Sequence, residues 1–270
     1  MGRVVGDDRL ATSFGSIAED YDRLRAAPPP PAVRWLLPRD CDSAVDLGAG
    51  TGLLTRALAG AVPHVIAIEP DARMRSVLIA RTPGALVLDG RGEAIPLPDA
   101  GQDAVLVSSA WHWMDPDRAV PEVARVLRDH GRLGLVWTSR DREVGWIREL
   151  DRLRIAAPVQ PAADEGTEGR RRGITRVVLA DDAPFNHIET ASFAFTMTMT
   201  IDDLVDALAT HSRVILADPA VRAAGLDRAR HALRTWFPNR DAIAVPMRAE
   251  CWRADRIARQ GTLGLATIRG

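Results

Sequence analysis

The stretch Ala44-Val45-Asp46-Leu47-Gly48-Ala49-Gly50-Thr51-Gly52-Leu53-Leu54-Thr55 constrains this chain more than any other. Val45 and Leu47 mark a short buried strand. Gly48, Gly50 and Gly52 mark a tight turn where a ligand can approach the backbone closely. Leu53, Leu54, Ala57 and Leu58 then recur at helical spacing. Free N–H groups at the start of such a helix suit a carboxylate or another anion. A second apolar run, Val65-Ile66-Ala67-Ile68, ends at Glu69. An acid at the tip of a second strand accepts hydrogen bonds from ribose hydroxyls. The expectation is a strand-turn-helix that binds an adenosine-containing ligand. A strand-turn-helix that uses glycine only for close packing is the plainer alternative.

Alternating elements extend this unit. Strands are expected near 43–48, 64–69, 85–88, 103–108 and 132–137, with helices near 52–60, 71–81 and 117–128 between them. The run Asp103 to Ser108 is continuous and β-branched, as buried parallel strands are. Five such repeats predict an α/β fold with a doubly wound, mostly parallel sheet. Beyond residue 140 the pattern predicts a helix near 143–155, a loop over 157–173 and a strand over 191–200. Helices near 201–215 and 219–235 and a last strand over 242–252 follow. Ahead of the core, Phe14, Ile17 and Tyr21 share a helix face, and Pro28 to Pro31 stop that helix. The expected organisation is an N-terminal helical arm or lid (1–40), an α/β core (41–140), and a cap of loop, strand and helices (141–240). A final strand with the C-terminal segment (241–270) completes the core.

Composition narrows the partners. The chain has 270 residues, 46% hydrophobic and 26% charged, with a formal net charge of −1. Near-neutral charge gives no reason to expect nucleic acid or an anionic membrane. Its 35 basic residues are all Arg. Two cysteines, Cys41 and Cys251, form neither a disulfide framework nor a metal-ligand pattern. No apolar leader or membrane-length run is visible, so a soluble cytoplasmic protein is expected. The oligomeric state is not legible.

The glycine spacing separates two cofactors. The dinucleotide fingerprint is G-x-G-x-x-G, whereas here Asp46-x-Gly48-x-Gly50-x-Gly52 runs acid-x-G-x-G-x-G. This resembles motif I of the class I S-adenosylmethionine-dependent methyltransferases. Further segments resemble the small-molecule group of methyltransferase type 11 and trans-aconitate-methyltransferase-like proteins. They are Phe14 to Tyr21 with Arg25, Ile68-Glu69-Pro70, Gly90 to Asp99, Ala110 to Trp113, and Glu122 to Leu127 followed by Gly131. Gly92 stands where the group has alanine, and Asp129-His130 where it has proline-glycine.

The resemblance implies a seven-stranded Rossmann-like methyltransferase fold with helical cap elements and S-adenosylmethionine as cofactor. It implies that Asp46, Gly48, Ala49 and Gly50 hold the amino-acid end, and that Glu69, with Pro70, takes the ribose. Gly92 and Glu93 would border the adenine, and Ser109 would face the methionine moiety. Tyr21 and Arg25 would close over the cofactor. The implied activity is methyl transfer to a small acceptor, at the oxygen of a carboxylate, enol or phenol. A carbon acceptor, a nicotinamide-dependent oxidoreductase and a non-catalytic S-adenosylmethionine-binding protein are the rivals.

His112 is the candidate general base, since it lies just past the fourth strand and an imidazole titrates near neutral pH. The alternative is a structural residue of the Trp111-His112-Trp113 turn. His211, on a helix of the cap, is the second candidate. Trp111 and Trp113 either line a pocket or pack. Arg140, Arg142 and Arg213 are candidates to pair with an acidic substrate. Asp115 and Asp117 suit a helix start better than a metal.

Overall fold

A computed structural model describes residues 18–153, 155, 177, 179–215 and 217–259, apart from the side chains of 212 and 213. Phe14 and Ile17, the predicted loop 157–173 and the side chain of Arg213 lie outside these residues.

Two short helices, α1 (Ala18–Leu24) and α2 (Pro30–Leu36), precede β1 (Ser43–Leu47). Then come α3 (Leu53–Ala59), β2 (His64–Ile68), α4 (Ala72–Arg81), β3 (Leu86–Leu88) and β4 (Gln102–Ser108). A 3₁₀ turn (Trp111–Trp113) leads into α5 (Pro116–Val126) and β5 (Leu127–Arg140). The remainder is α6 (Gly145–Arg152), β6 (Phe185–Thr200), α7 (Ile201–Ala209), α8 (Ser212–Ile215), α9 (Pro219–Trp236) and β7 (Ala242–Arg256).

The strands form one seven-stranded sheet in the order β3-β2-β1-β4-β5-β7-β6. β1 to β5 pair in parallel, while β7 runs antiparallel to both β5 and β6. The chain winds outward from β1 to β3, then crosses back to place β4 on the other side of β1. Open α/β sheets bind ligands at that reversal, outside the carboxyl ends of the strands. Here those ends are Leu47 and Ser108, with the glycine turn following one and Ser109 the other.

All five residues of β1 are buried, Ser43 and Asp46 included, as in a parallel strand covered on both faces. Val45, Leu47, Val105, Val107, Leu133 and Leu135 pack towards α5 on one face. Ala44, Ala104, Leu106 and Val136 pack against Leu36, Leu54 and Leu58 on the other. Gly134 belongs to this second layer. A Cβ there would lie 2.4 Å from Leu106 Cδ2 and 3.1 Å from Leu36 Cδ2. Gly134→Ala is therefore expected to destabilise the chain by about 1–3 kcal/mol through overpacking, measured by urea denaturation.

A separate apolar cluster joins Leu24 of α1, Ile147 and Leu150 of α6, Leu204 and Leu208 of α7, Leu233 of α9, and Met199, Val245 and Met247 from the adjoining ends of β6 and β7. An Arg23–Asp203 ion pair also ties α1 to α7.

Three boundaries differ from the sequence reading. β5 starts at Leu127, so residues predicted as a helix end and a turn are strand. Leu127 pairs with Gln102, and the irregularity falls between Gln102 and Ala104. His130, with φ at 64°, absorbs part of it. β6 begins at Phe185, six residues early, because β7 extends to Arg256 and gives those residues a partner. The helix predicted over 201–215 is divided at Thr210 and His211 into α7 and α8.

Candidate active site

The glycine turn is fixed from below by β2. Gly48 and Ala49 donate their N–H groups to the Ile68 carbonyl at 2.9 and 3.0 Å. Gly50 donates to Glu69 Oε2 at 2.8 Å, and Asp71 donates to Glu69 Oε1 at 2.8 Å. Glu69 is thus held at the strand tip beside the turn. Burial raises the pKa of its carboxyl, partly offset by those two backbone donors.

Gly48 and Gly50 have φ of 70° and 58°, a region that penalises L side chains. Their surroundings differ. A Cβ on Gly48 would meet Ala110 Cβ at 2.8 Å, so this glycine also lets the loop after β4 close in. A Cβ on Gly50 would meet nothing within 4 Å. The turn faces open space there, at the sheet's reversal.

Asp46 is fully buried beneath the turn. Its Oδ2 accepts a hydrogen bond from Thr55 Oγ1 at 2.6 Å. Its Oδ1 and the Thr51 hydroxyl have no partner among the described residues. Burial, then the nearby Glu69 charge, pushes the Asp46 carboxyl up to about 7, with the Thr55 hydrogen bond opposing. Two carboxylates, one with a free acceptor oxygen, suit a ligand bearing hydroxyl groups and a cationic end.

The other predicted residues flank this crevice. Pro70 follows Glu69 and carries a carbonyl that accepts from Arg75. Gly92 sits against the loop after β4, since a Cβ there would lie 2.6 Å from Met114 Sδ. Glu93 Oε1 accepts from the Asp115 N–H at 2.7 Å and is tied to the start of α5. Asp115 caps that helix by accepting from the Asp117 N–H, and among the described residues no cluster could hold a metal ion. Ser109 has φ at 54° and donates its N–H to the Val136 carbonyl. Strained backbone of this kind gathers at functional sites.

Beside the crevice lies a chamber of about 110 Å³. Leu53, Ser108 and Ser109 form its side nearest the glycine turn. Tyr21, Leu24 and Arg25 enter from α1 and the residue after it, with the Arg25 guanidinium 5.2 Å from the Tyr21 ring centroid. Thr138 and Arg140 come from β5, and Arg142 follows that strand. Met197, Met199, Leu204, Val245 and Met247 give the wall its apolar part, and His211 completes it.

The two histidines thus fall in different places. His211 lines the chamber, and burial with the charges of Arg25, Arg140 and Arg142 keeps its pKa well below the ordinary value. His112 is outside the lining. Its surface is open to solvent while its ring stands 4.6 Å from that of Trp113, and the crowding lowers its pKa. Trp111 is 6% exposed and packs in the core.

Sequence reasoning singled out Arg25, Arg140 and His211 separately but missed the thioether wall. Alternation over Phe193 to Met199 signalled one apolar face, without showing that it meets Met247 across β7. Phe195 is in register with Met247, and Met197 with Val245.

Residues 45–135 match the family described as a methyltransferase domain. The chain is 42% identical over 247 residues to an uncharacterized methyltransferase of Mycobacterium tuberculosis, covering 91% of this chain and 96% of that one. An uncharacterized methyltransferase of Schizosaccharomyces pombe is 32% identical over 149 residues, 53% of this chain and 59% of its own. Among solved structures, a candidate type II methyltransferase of Anaeromyxobacter dehalogenans shares the fold. Its TM-score is 0.63 at 23% identity, over 87% of this chain and 99% of that one.

Proposed function

This chain belongs to the class I S-adenosylmethionine-dependent methyltransferases, and from that premise we propose that it methylates an oxygen of a small-molecule acceptor held in the chamber. The observation that carries the reading is the adjacency of crevice and chamber. Leu53 follows the last glycine of the turn, Ser108 and Ser109 follow from β4, and all three line the chamber.

The residues fit the cofactor. Gly50 opens onto free space, Glu69 accepts from its N–H, and Asp46 lies buried beneath the same turn. In this reading Asp46, Gly48, Ala49 and Gly50 hold the amino-acid end, while Glu69 and Pro70 hold the ribose. Gly92 and Glu93 border the adenine, Glu93 through its backbone. Ser109 faces the methionine moiety, and Tyr21 and Arg25 close the site from the arm. The bound cofactor supplies an electrophilic methyl on a cationic sulfur. The protein supplies position and a dry enclosure, which at best lower the barrier by about 7–11 kcal/mol. The elements from α6 to α9 act as the cap over the acceptor.

An acceptor oxygen that arrives ionised needs no base. One that arrives protonated meets His211 in the chamber lining, but burial and the charges of Arg25, Arg140 and Arg142 disfavour its imidazolium and make it a weak base, so an acceptor that arrives ionised is favoured. His112 then belongs to the wall turn. His112→Ala is expected to keep turnover within about threefold of wild type, since a lost base typically costs about 100-fold or more.

The reading is tested by incubating the full chain with methyl-labelled cofactor and a panel of carboxylic acids, phenols and enols. Label is expected in an oxygen-methylated product. Label on carbon would move the assignment to carbon methylation, and cofactor binding without transfer to any acceptor would remove the catalytic reading.

A further inference from the structure

The chamber is unevenly charged. None of its lining residues is acidic, yet Arg25, Arg140 and Arg142 all reach it. One carboxylate, Asp151 on α6, serves two of them. Its Oδ1 accepts from Arg140 Nη2 at 3.2 Å and its Oδ2 from Arg142 Nε at 2.7 Å. Arg142 is largely exposed, whereas the Arg140 side chain is 15% exposed. Arg25 has no acidic partner among the described residues. Its guanidinium carbon stands 5.2 Å from the centroid of the Tyr21 ring.

Three buried polar atoms in this wall have no hydrogen-bond partner among the described residues: Arg25 Nε, Arg140 Nε and His211 Nε2. Buried donors are nearly always satisfied, and a buried guanidinium N–H left unmade is costly. The lost hydration is felt, because burial and the Arg25 charge both lower the pKa of Arg140. A fold that gathers cations around an enclosed space with too few anions gains from a ligand that brings the missing charge.

Resting on the methyltransferase reading, we propose that the acceptor carries a carboxylate and that Arg25 and Arg140 seat it in the chamber. The donor count selects a carboxylate over a phosphate. Two guanidinium groups, one on each side, match the two oxygens of a carboxylate, whereas a phosphate monoester presents three terminal oxygens. The room agrees, since about 110 Å³ is the space of three or four waters at ~30 Å³ each. Met197, Met199 and Met247 offer a pliable apolar wall for the body behind that group. Arg25 comes from the segment after α1 and Arg140 from the end of β5, so the carboxylate would also join the arm to the sheet.

The test is calorimetric titration of the full chain, with and without S-adenosylhomocysteine, using acetate, butanoate and benzoate, their neutral amides, and inorganic phosphate. At least one carboxylate is expected to bind ten times more tightly than its amide. Arg25→Gln and Arg140→Gln should each weaken it tenfold or more while leaving the amide unchanged. Arg25→Gln is the safer variant, because Arg25 has no acidic partner to strand. Amides that bind as tightly as the acids, no measurable carboxylate binding, variants without effect, or phosphate as the tighter anion would each overturn the proposal. S-adenosylhomocysteine is titrated separately. Failure of that ligand to bind would count against the methyltransferase reading, and the carboxylate titration of the unliganded chain would still decide the seat.

Discussion

Glu69→Ala is expected to weaken S-adenosylhomocysteine binding on the order of 100-fold or more. Hydrogen bonds to a charged partner are each worth about 1.5–3 kcal/mol, and a ribose offers two hydroxyls to one carboxylate. The structure makes Glu69 suited to this. It is 7% exposed, and each of its oxygens already accepts from one backbone N–H, of Gly50 and Asp71. Each carboxylate oxygen has a second lone pair to offer. The same two bonds shape the turn, so the alanine variant should also unfold somewhat earlier. Glu69→Gln keeps one acceptor oxygen and should lose only about tenfold in affinity. Calorimetric titration gives the affinities, and thermal denaturation of the unliganded variants separates the loss of turn geometry.

Asp46→Asn is expected to stabilise the unliganded chain at pH 8, less so at pH 5, and to do little below about pH 4. The sign follows from the burial of Asp46. Its folded pKa is raised to about 7 from an ordinary 3.8, so folding favours the protonated form. That contribution is complete below pH 3.8 and fades as pH rises to about 7, where the buried carboxyl must ionise or open the structure. At ~1.4 kcal/mol per pH unit, the wild type loses up to about 4 kcal/mol across this window. Asparagine does not ionise, and its oxygen still accepts the Thr55 hydroxyl. The variant's Tm should exceed that of wild type by up to roughly 8–16 °C at pH 8, using ~2–4 °C per kcal/mol for a chain of this size. It should also bind the cofactor more weakly, because an amide that cannot ionise replaces the carboxyl beneath the turn. Stability gained with binding lost is the usual signature of a strained functional group.

Much of this site was legible in the sequence because it is local. Asp46 to Gly52 and Ile68 to Pro70 each sit on one strand and the turn after it, so spacing alone placed them together at the sheet's reversal. The doubly wound, mostly parallel sheet followed from the same alternation. What spacing could not show arises where distant segments meet. Gly48 is needed as much for the approach of Ala110, over sixty positions away, as for its own φ. The chamber needs the arm, the end of β5, β6, α7 and β7 at once. Periodicity gave Met197 and Met199 a face without a partner. The early start of β6 was hidden because Asn186-His187-Ile188-Glu189 lacks apolar alternation; Asn186 and Glu189 pair with Asp255 and Arg253 of the extended β7 on either side of an irregularity. His112 was favoured on position in the chain, and distance from the chamber lining is a three-dimensional fact.

The most direct measurement is an isothermal titration of the full chain with S-adenosylhomocysteine, with NAD run alongside. A one-to-one complex in the micromolar range is expected, weakened by Glu69→Ala and indifferent to NAD. A flat titration with S-adenosylhomocysteine, or binding of NAD in its place, would contradict a crevice built from Asp46, the glycine turn and Glu69 for an adenosyl sulfonium.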